Sequence, residues 1–370
     1  MNKPGSRRTL AGPVRWNASA VRATLGHVVQ ALKQSNRDIS SSMFDQLTPI
    51  VRTLLERLLV VWLVLISLVA FWWPSMRLGT HFDPFIGSQA GLQWIIAVTM
   101  LAIGSLLPRD EIRQVMRRWP TVLGGTTVQY VTMPLLAYVV GRAMGFEGSL
   151  LTGIVVVGCV PGAMASNVLT LAARANVSYS VSLTTSATLF SPLLVPLALK
   201  LTLGQWREFP AWSVGLTLLW TVVIPVVVGH LLSRWSPTWN ATFRSLGSIV
   251  ANLTILWIIA VVVAVNRDRL NHFHLTLLLA LSMINLGGYL AGFLGGKLMR
   301  LPRPMRRALT LEVGMQNAGL GTFLLLAVFK NEPEATIPTA IYTFGCMLTG
   351  TVLARIWAEW GCGDAMKEVA

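Results

Sequence analysis

Leu309-Thr310-Leu311-Glu312-Val313-Gly314-Met315-Gln316-Asn317-Ala318-Gly319-Leu320 places one carboxylate, two amides and two glycines inside an apolar run. The chain around it has 370 residues, of which 54% are hydrophobic and 12% charged, against about 25% charged in an ordinary soluble domain. A soluble protein of this size needs a more polar surface, so the chain reads as an integral membrane protein. Of its 15 acidic residues, Glu312 alone sits within an apolar run; the rest fall in tails, loops or span ends. A bare carboxylate in hydrocarbon costs roughly several kcal/mol or more. No intramembrane Lys or Arg offers itself as a partner. A bound cation remains, with a protonated, hydrogen-bonded packing residue as the alternative.

A second stretch has the same character: Gly158-Cys159-Val160-Pro161-Gly162-Ala163-Met164-Ala165-Ser166-Asn167. Pro161 cannot donate to a helical ladder and Gly162 weakens one, so the span is expected to break there. A break exposes carbonyls on one side, which suit hard cations, and amide donors on the other, which suit an anion. The segment around Gly314 is expected to break in the same way. In the span that follows the first break, Ser180 and Thr184 stand four apart and share a helical face. Gln129, in the span before it, is another buried amide in need of a partner.

Bilayer-spanning helices need about 20 mostly apolar residues. Ten such segments are predicted, at approximately 57–73, 92–107, 119–140, 148–174, 178–203, 210–233, 247–265, 273–298, 305–329 and 335–360. Alternate loops carry most of the 30 Lys and Arg, which puts both termini in the cytoplasm. The chain also divides into two halves, 57–203 and 210–360, each with five spans and each interrupted at a matching position, Asn167 and Asn317. Five is odd, so the halves cross in opposite directions. Inverted repeats with interrupted helices are a signature of secondary transporters. Residues 1–50 form a basic cytoplasmic tail in which Val21, Leu25, Val28, Val29 and Leu32 share a helical face, as in a helix lying on anionic lipid. An acid-poor, Arg- and Ser-containing start also fits an organelle transit peptide. The membrane is accordingly the cell (inner) membrane, or an organelle envelope if the tail is a transit peptide.

Around the two interruptions the chain resembles the bile acid:sodium symporter family. The resemblance rests on "GCVPGAMASNVLTLAARANVSYSVSLTT" and "LEVGMQNAGL" and extends over residues 57–360. It implies an all-α polytopic membrane protein of ten transmembrane helices in two inverted five-helix repeats. Two broken helices would cross in a core domain that stands beside a panel domain. It also implies two Na+ sites, one from Ser166, Asn167, Ser180, Thr184 and Glu312, the other from Gln129, Glu312, Gln316 and the backbone oxygens of Val313 and Met315. The organic anion would dock beside the crossing, near Asn317, Met164, Ala165 and Ala318, with the helices broken at Pro161, Gly162 and Gly314. The substrate side departs from the family pattern. Met164 stands where a Thr is common, Ala318 where a Ser is, and Gly345-Cys346-Met347 replaces a Trp-His-Asn triplet. Cation chemistry is intact, while bile acids are not the expected substrate.

Sodium-coupled symport of an organic anion by alternating access is therefore the expected function. No organic cofactor is implied, and no obligate protein partner is evident. Alternatives are a carrier of the same architecture with other coupling (proton-driven, or a metalloid exporter) and a sensor that binds without transporting. An enzyme is disfavoured because only one buried carboxylate exists. The net charge of +15 does not imply nucleic acid, since the cations lie between apolar runs with no aromatic-interleaved stripe. Three dispersed cysteines make neither a disulfide framework nor a zinc cluster. His272 and His274 read as an interfacial pair, Gly361-Cys362-Gly363-Asp364 as a terminal segment, and Gly288, Gly292 and Gly296 as a helix-packing face.

Overall fold

Long runs of Leu, Val, Ile and Ala leave the backbone no solvent to bond with, so each segment satisfies its own amides as a helix. The computed structural model describes residues 58–76, 82–108, 111–204, 210–270, 275–329 and 332–367, and its described residues contain no strand. The basic tail and the His272–His274 pair lie outside them. The main helices are α1 (Leu59–Trp72), α2 (Leu92–Leu106), α3 (Trp119–Ala143), α4 (Gly148–Cys159), α5 (Ala165–Ala172) and α6 (Val177–Thr202). They continue with α7 (Ala211–Trp235), α8 (Pro237–Val265), α9 (Leu275–Leu298), α10 (Arg303–Gly314), α11 (Ala318–Val328) and α12 (Thr336–Lys367). The last helix runs beyond residue 360, where the sequence reading ends the second repeat.

Among the described residues, five stretches are long and apolar enough to cross a bilayer: Pro84–Leu106, Val177–Thr202, Ala211–Trp235, Leu275–Leu298 and Pro333–Glu359. The pairs α4/α5 and α10/α11 are short by design. At 1.5 Å per residue, a helix of 12 residues such as α4 reaches about 18 Å, well under a hydrocarbon thickness of about 30 Å. Within α7 the ladder widens to a π turn at Leu219–Val223, just ahead of Pro225, whose missing amide leaves a carbonyl to be re-satisfied.

Two sets of helices pack closely. In one, α2 lies against α7 and α8, and α8 against α1. A Cβ on Gly104 would stand 2.1 Å from the Val226 carbonyl oxygen, and one on Gly229 2.1 Å from that of Leu101, so backbones touch on this seam. Arg267, at the end of α8, pairs with Asp83 at 2.6 Å and donates to the Ala70 carbonyl at the end of α1. In the other set, α3 packs on α4, α6 and α9, and α9 on α10 and α12. The glycine row of α9 makes this second seam. Cβ atoms at Gly288, Gly292 and Gly296 would meet Gly314 Cα at 3.0 Å, the Leu309 carbonyl at 2.7 Å and Arg306 Cγ at 2.8 Å.

Gly292→Val is therefore expected to force α9 and α10 apart and lower stability by about 1–3 kcal/mol or more. Gly345, with nothing within 4 Å of its would-be Cβ, sits in the interior of α12. Gly345→Ala should raise stability by about 0.5–1 kcal/mol. Thermal unfolding in detergent checks both, and a Gly292→Val protein as stable as the parent would show that the seam tolerates a side chain.

Candidate functional site

α4 stops at Cys159 and α10 at Gly314, and their chains resume at Ala165 and Ala318. The unwound segments meet. The Pro161 carbonyl accepts the Asn317 amide at 2.8 Å, and the Met315 carbonyl accepts the Ala163 amide at 2.8 Å. Gly162 and Gln316 thus face each other across a single antiparallel bridge. Each broken helix supplies the backbone partners that the other has lost, which an apolar interior requires.

The Gly314 carbonyl, released by the second break, accepts Asn285 Nδ2 at 2.8 Å and the Tyr342 hydroxyl at 2.7 Å. Asn285 Oδ1 in turn accepts from Thr349 at 2.7 Å, and Thr349 shares a hydrogen bond with the Tyr289 hydroxyl. A Cβ on Gly314 would stand 2.1 Å from the Tyr289 ring, so glycine is needed where α10 ends against α9. Sequence reasoning missed this supporting shell. Its signal was available: Asn285 is a lone amide in an apolar span, and Tyr342 and Thr349 flank Cys346 on one face of α12.

Glu312, on the last turn of α10, is fully buried. Its Oε2 accepts the Ser166 hydroxyl from α5 at 2.5 Å, and its Oε1 accepts the Thr184 hydroxyl from α6 at 2.6 Å. Thr184 also reaches the Ser180 carbonyl at 3.1 Å, and Ser180 Oγ accepts from Thr170 at 3.2 Å. Gly162 makes room for the carboxylate: a Cβ there would lie 2.2 Å from Glu312 Oε1. Asn167 places its Nδ2 4.0 Å from the Met164 sulfur, and its Oδ1 is buried with no hydrogen-bond partner. Ser166, Ser180 and Thr184 are all buried, so the oxygens of the cluster converge inside the protein.

The other expected ligands gather around Gln316. Gln129 Nε2 donates to Gln316 Oε1 at 3.2 Å, and Gln316 Nε2 donates to the Val313 carbonyl at 2.7 Å. The Met315 carbonyl serves the backbone bridge. Glu312 directs both carboxylate oxygens to the hydroxyl set and is joined to the glutamines along the chain through Val313. Asn317 has a structural task beside any contact with substrate, because its Oδ1 accepts the Leu320 amide at 3.1 Å and caps α11. Met164 and Ala165 are half-buried at the start of α5, whereas Ala318 is buried.

Two discontinuous helices that repair each other's backbone beside a buried carboxylate, in an all-helical membrane protein, define a transport-protein architecture. Residues 94–273 match the model of the Sodium Bile acid symporter family. The chain is 30% identical over 299 residues to the uncharacterized sodium-dependent transporter YocS of Bacillus subtilis (strain 168), covering 81% of this chain and 90% of that protein. It is 28% identical over 308 residues to the probable chloroplastic sodium/metabolite cotransporter BASS2 of Oryza sativa subsp. japonica, covering 83% and 72%. To the probable chloroplastic cotransporter BASS6 of Arabidopsis thaliana it is 29% identical over 307 residues, covering 80% and 72%. The protein belongs to the Sodium Bile acid symporter family.

Gly162→Ala tests the geometry of the site directly. Its methyl group must displace the Glu312 carboxylate from Thr184, leaving buried hydroxyls without their acceptor at about 1–3 kcal/mol. The variant should unfold at lower temperature than the parent, and combining it with Glu312→Ala should cost less than the sum of the two single changes. Strict additivity in that double-mutant cycle would mean that the two residues do not meet.

Proposed function

We propose that this protein is a secondary active transporter that carries Na+ together with an organic anion. The observation that carries the reading is the buried Glu312 carboxylate, met by the hydroxyls of Ser166 and Thr184 rather than by a cationic side chain among the described residues. Oxygen donors alone suit a hard cation. Asn167, next to Ser166, has a buried Oδ1 without a hydrogen-bond partner, one more oxygen free to serve a cation. Ser166, Asn167, Ser180, Thr184 and Glu312 hold one Na+ on this reading. Gln129, Glu312, Gln316 and the carbonyls of Val313 and Met315 hold the second. That relatives are named as sodium-dependent transporters and sodium/metabolite cotransporters supports sodium as the coupling ion.

Charge explains the coupling. Two Na+, the Glu312 carboxylate and a monovalent anion sum to zero, so a filled site crosses a low-dielectric barrier at far lower cost than a half-filled one. Each cycle then moves one net positive charge, assisted by about 2.3 kcal/mol per 100 mV of inside-negative potential. The anion docks beside the crossing, at the amide of Asn317 and the start of α5, with Met164, Ala165 and Ala318 as its apolar surroundings.

Ten spans in two inverted repeats, 57–203 and 210–360, are the architecture that goes with this function. They form a core of α3–α6 and α9–α12 beside a panel of α1, α2, α7 and α8. The two short half-helices α5 and α11 hold equivalent places in the repeats, yet their surroundings differ. From Ala318 to Leu325, α11 is buried, and it packs on α2, α7 and α8. On α5 only Ser166 and Thr170 are buried, while Val168 is 48% and Leu171 67% exposed. This asymmetry supports a state closed at the α11 end and open at the α5 end, one of the two that alternating access requires.

Proteoliposome uptake of organic anions with an inward Na+ gradient, a K+ gradient and a proton gradient tests the proposal. Uptake should follow Na+ alone, and Glu312→Gln should lower it roughly tenfold or more, which is at least about 1.4 kcal/mol of lost coupling. Sodium-independent uptake that survives Glu312→Gln, or uptake driven equally by protons, would overturn it.

A further inference from the structure

We propose that the turn joining α9 to α10 is a binding site for an anionic phospholipid, with the headgroup phosphate on Arg300 and Arg306 and an acyl chain along Leu290, Phe293 and Leu294. This inference does not rest on the transport reading. Three observations converge. First, Arg306 sits at the edge of the seam between α9 and α10: its stem passes over the buried Gly296, and its guanidinium carbon stands 5.1 Å from the centroid of the Phe293 ring. That ring is 40% exposed, with Leu290, Leu294 and Leu298 exposed beside it, so a cation is held at the edge of a surface that faces acyl chains. Second, α10 starts with Arg303, Arg306 and Arg307 and has no acidic residue in its first turn. Cations at the positive end of a helix repel it, and an anion relieves the repulsion. Third, Arg300 follows α9 with φ of 52° and is exposed, in the turn that leads into α10, whose start carries Arg306.

Arg307 marks the boundary of the site. It turns inward, donating to the carbonyls of Ala173 and Trp357 and stacking on the Trp357 ring. It fastens helices, whereas Arg300 is exposed and Arg306 is half-buried with its guanidinium over the Phe293 ring. A diffuse excess of positive charge on one side of a membrane needs no such placement; a guanidinium above an exposed aromatic and a row of leucines matches a molecule with a phosphate at one end and a hydrocarbon chain at the other. Because α10 runs from these arginines to Glu312, a lipid bound here steadies the half-helix that carries the buried carboxylate.

The test is a thermal-shift titration of the purified full chain in detergent, with phosphatidylglycerol, phosphatidylcholine and soluble glycerol phosphate as separate probes. Phosphatidylglycerol should raise the unfolding temperature by mass action; the other two should not. The double variant R300Q/R306Q should bind phosphatidylglycerol roughly tenfold more weakly. R113Q/R117Q, which removes two exposed arginines from the separate helix Glu111–Arg117, should bind it as the parent does. Unfolding without lipid verifies each variant's fold, and R300Q alone, at an exposed position, serves if R306Q is unstable. Equal stabilisation by phosphatidylcholine, stabilisation by glycerol phosphate, an unchanged response in R300Q/R306Q, or an equal loss in R113Q/R117Q would each overturn the proposal.

Discussion

A buried carboxylate that no cationic side chain among the described residues meets is the constraint around which this molecule is arranged. Glu312 is tolerable in its place because Ser166 and Thr184 donate to its two oxygens from two other helices. The Ser166 hydroxyl reaches it because α5 begins where it does, beyond a break. The break is tolerable in turn because the carbonyl of Pro161 and the amide of Ala163 find Asn317 and Met315 on the other broken helix. Neither interruption is sustainable alone: each would leave backbone groups orphaned at a cost of several kcal/mol apiece. The pair is therefore one structural unit, and the polar cluster is its consequence.

Rigidity comes from the layer outside. Asn285, Tyr342, Thr349 and Tyr289 form a hydrogen-bonded chain that ends on the carbonyl of Gly314. The glycine row on α9 lets α10 approach until backbone touches backbone. Dispersion falls steeply with distance, so such close packing is the main attraction available between helices in hydrocarbon, where no hydrophobic effect separates them from solvent. A carboxylate carried by a loosely packed helix would not hold a fixed distance to hydroxyls on α5 and α6.

Much of this was legible in the chain itself. Pro161-Gly162 and Gly314 announce interruptions because their backbone chemistry is local, and Glu312 stands out because a carboxylate in an apolar run is rare. The residues that make the site rigid were harder to see. Asn285 and Tyr342 act on a carbonyl far away in sequence, and a single chain carries no record of such pairings. The sequence reads Asn317 as a substrate contact; that its side-chain oxygen also caps α11 is a role shared by many asparagines and seen only in geometry. Gly162 was read as a helix breaker; that its missing Cβ also makes room for Glu312 depends on where a helix from the other half of the chain comes to lie. The small departures at Cys346 and Met347 look less disruptive in three dimensions, since Tyr342 and Thr349 supply polar groups a turn to either side.

If access alternates, the contacts that close one end must be weak enough to reopen. Where α8 of one helix set meets α12 of the other, Asn266 Nδ2 donates to Thr336 Oγ1 at 2.9 Å, and the Asn266 Oδ1 atom is buried without a partner. Thr339 and Thr322 continue a line of hydroxyls from there along the buried α11, linked to each other at 2.6 Å. Each such bond is worth about 1 kcal/mol net because water replaces it on opening, and the lone Oδ1 gains a partner when it is wetted. An apolar seal of equal area would lose its whole burial energy on parting, at about 25 cal/mol per Å². A polar seam is thus the cheaper one to open. Of the bonds in this seam, Asn266–Thr336 joins the two helix sets, while Thr322–Thr339 ties α11 to α12 within one of them.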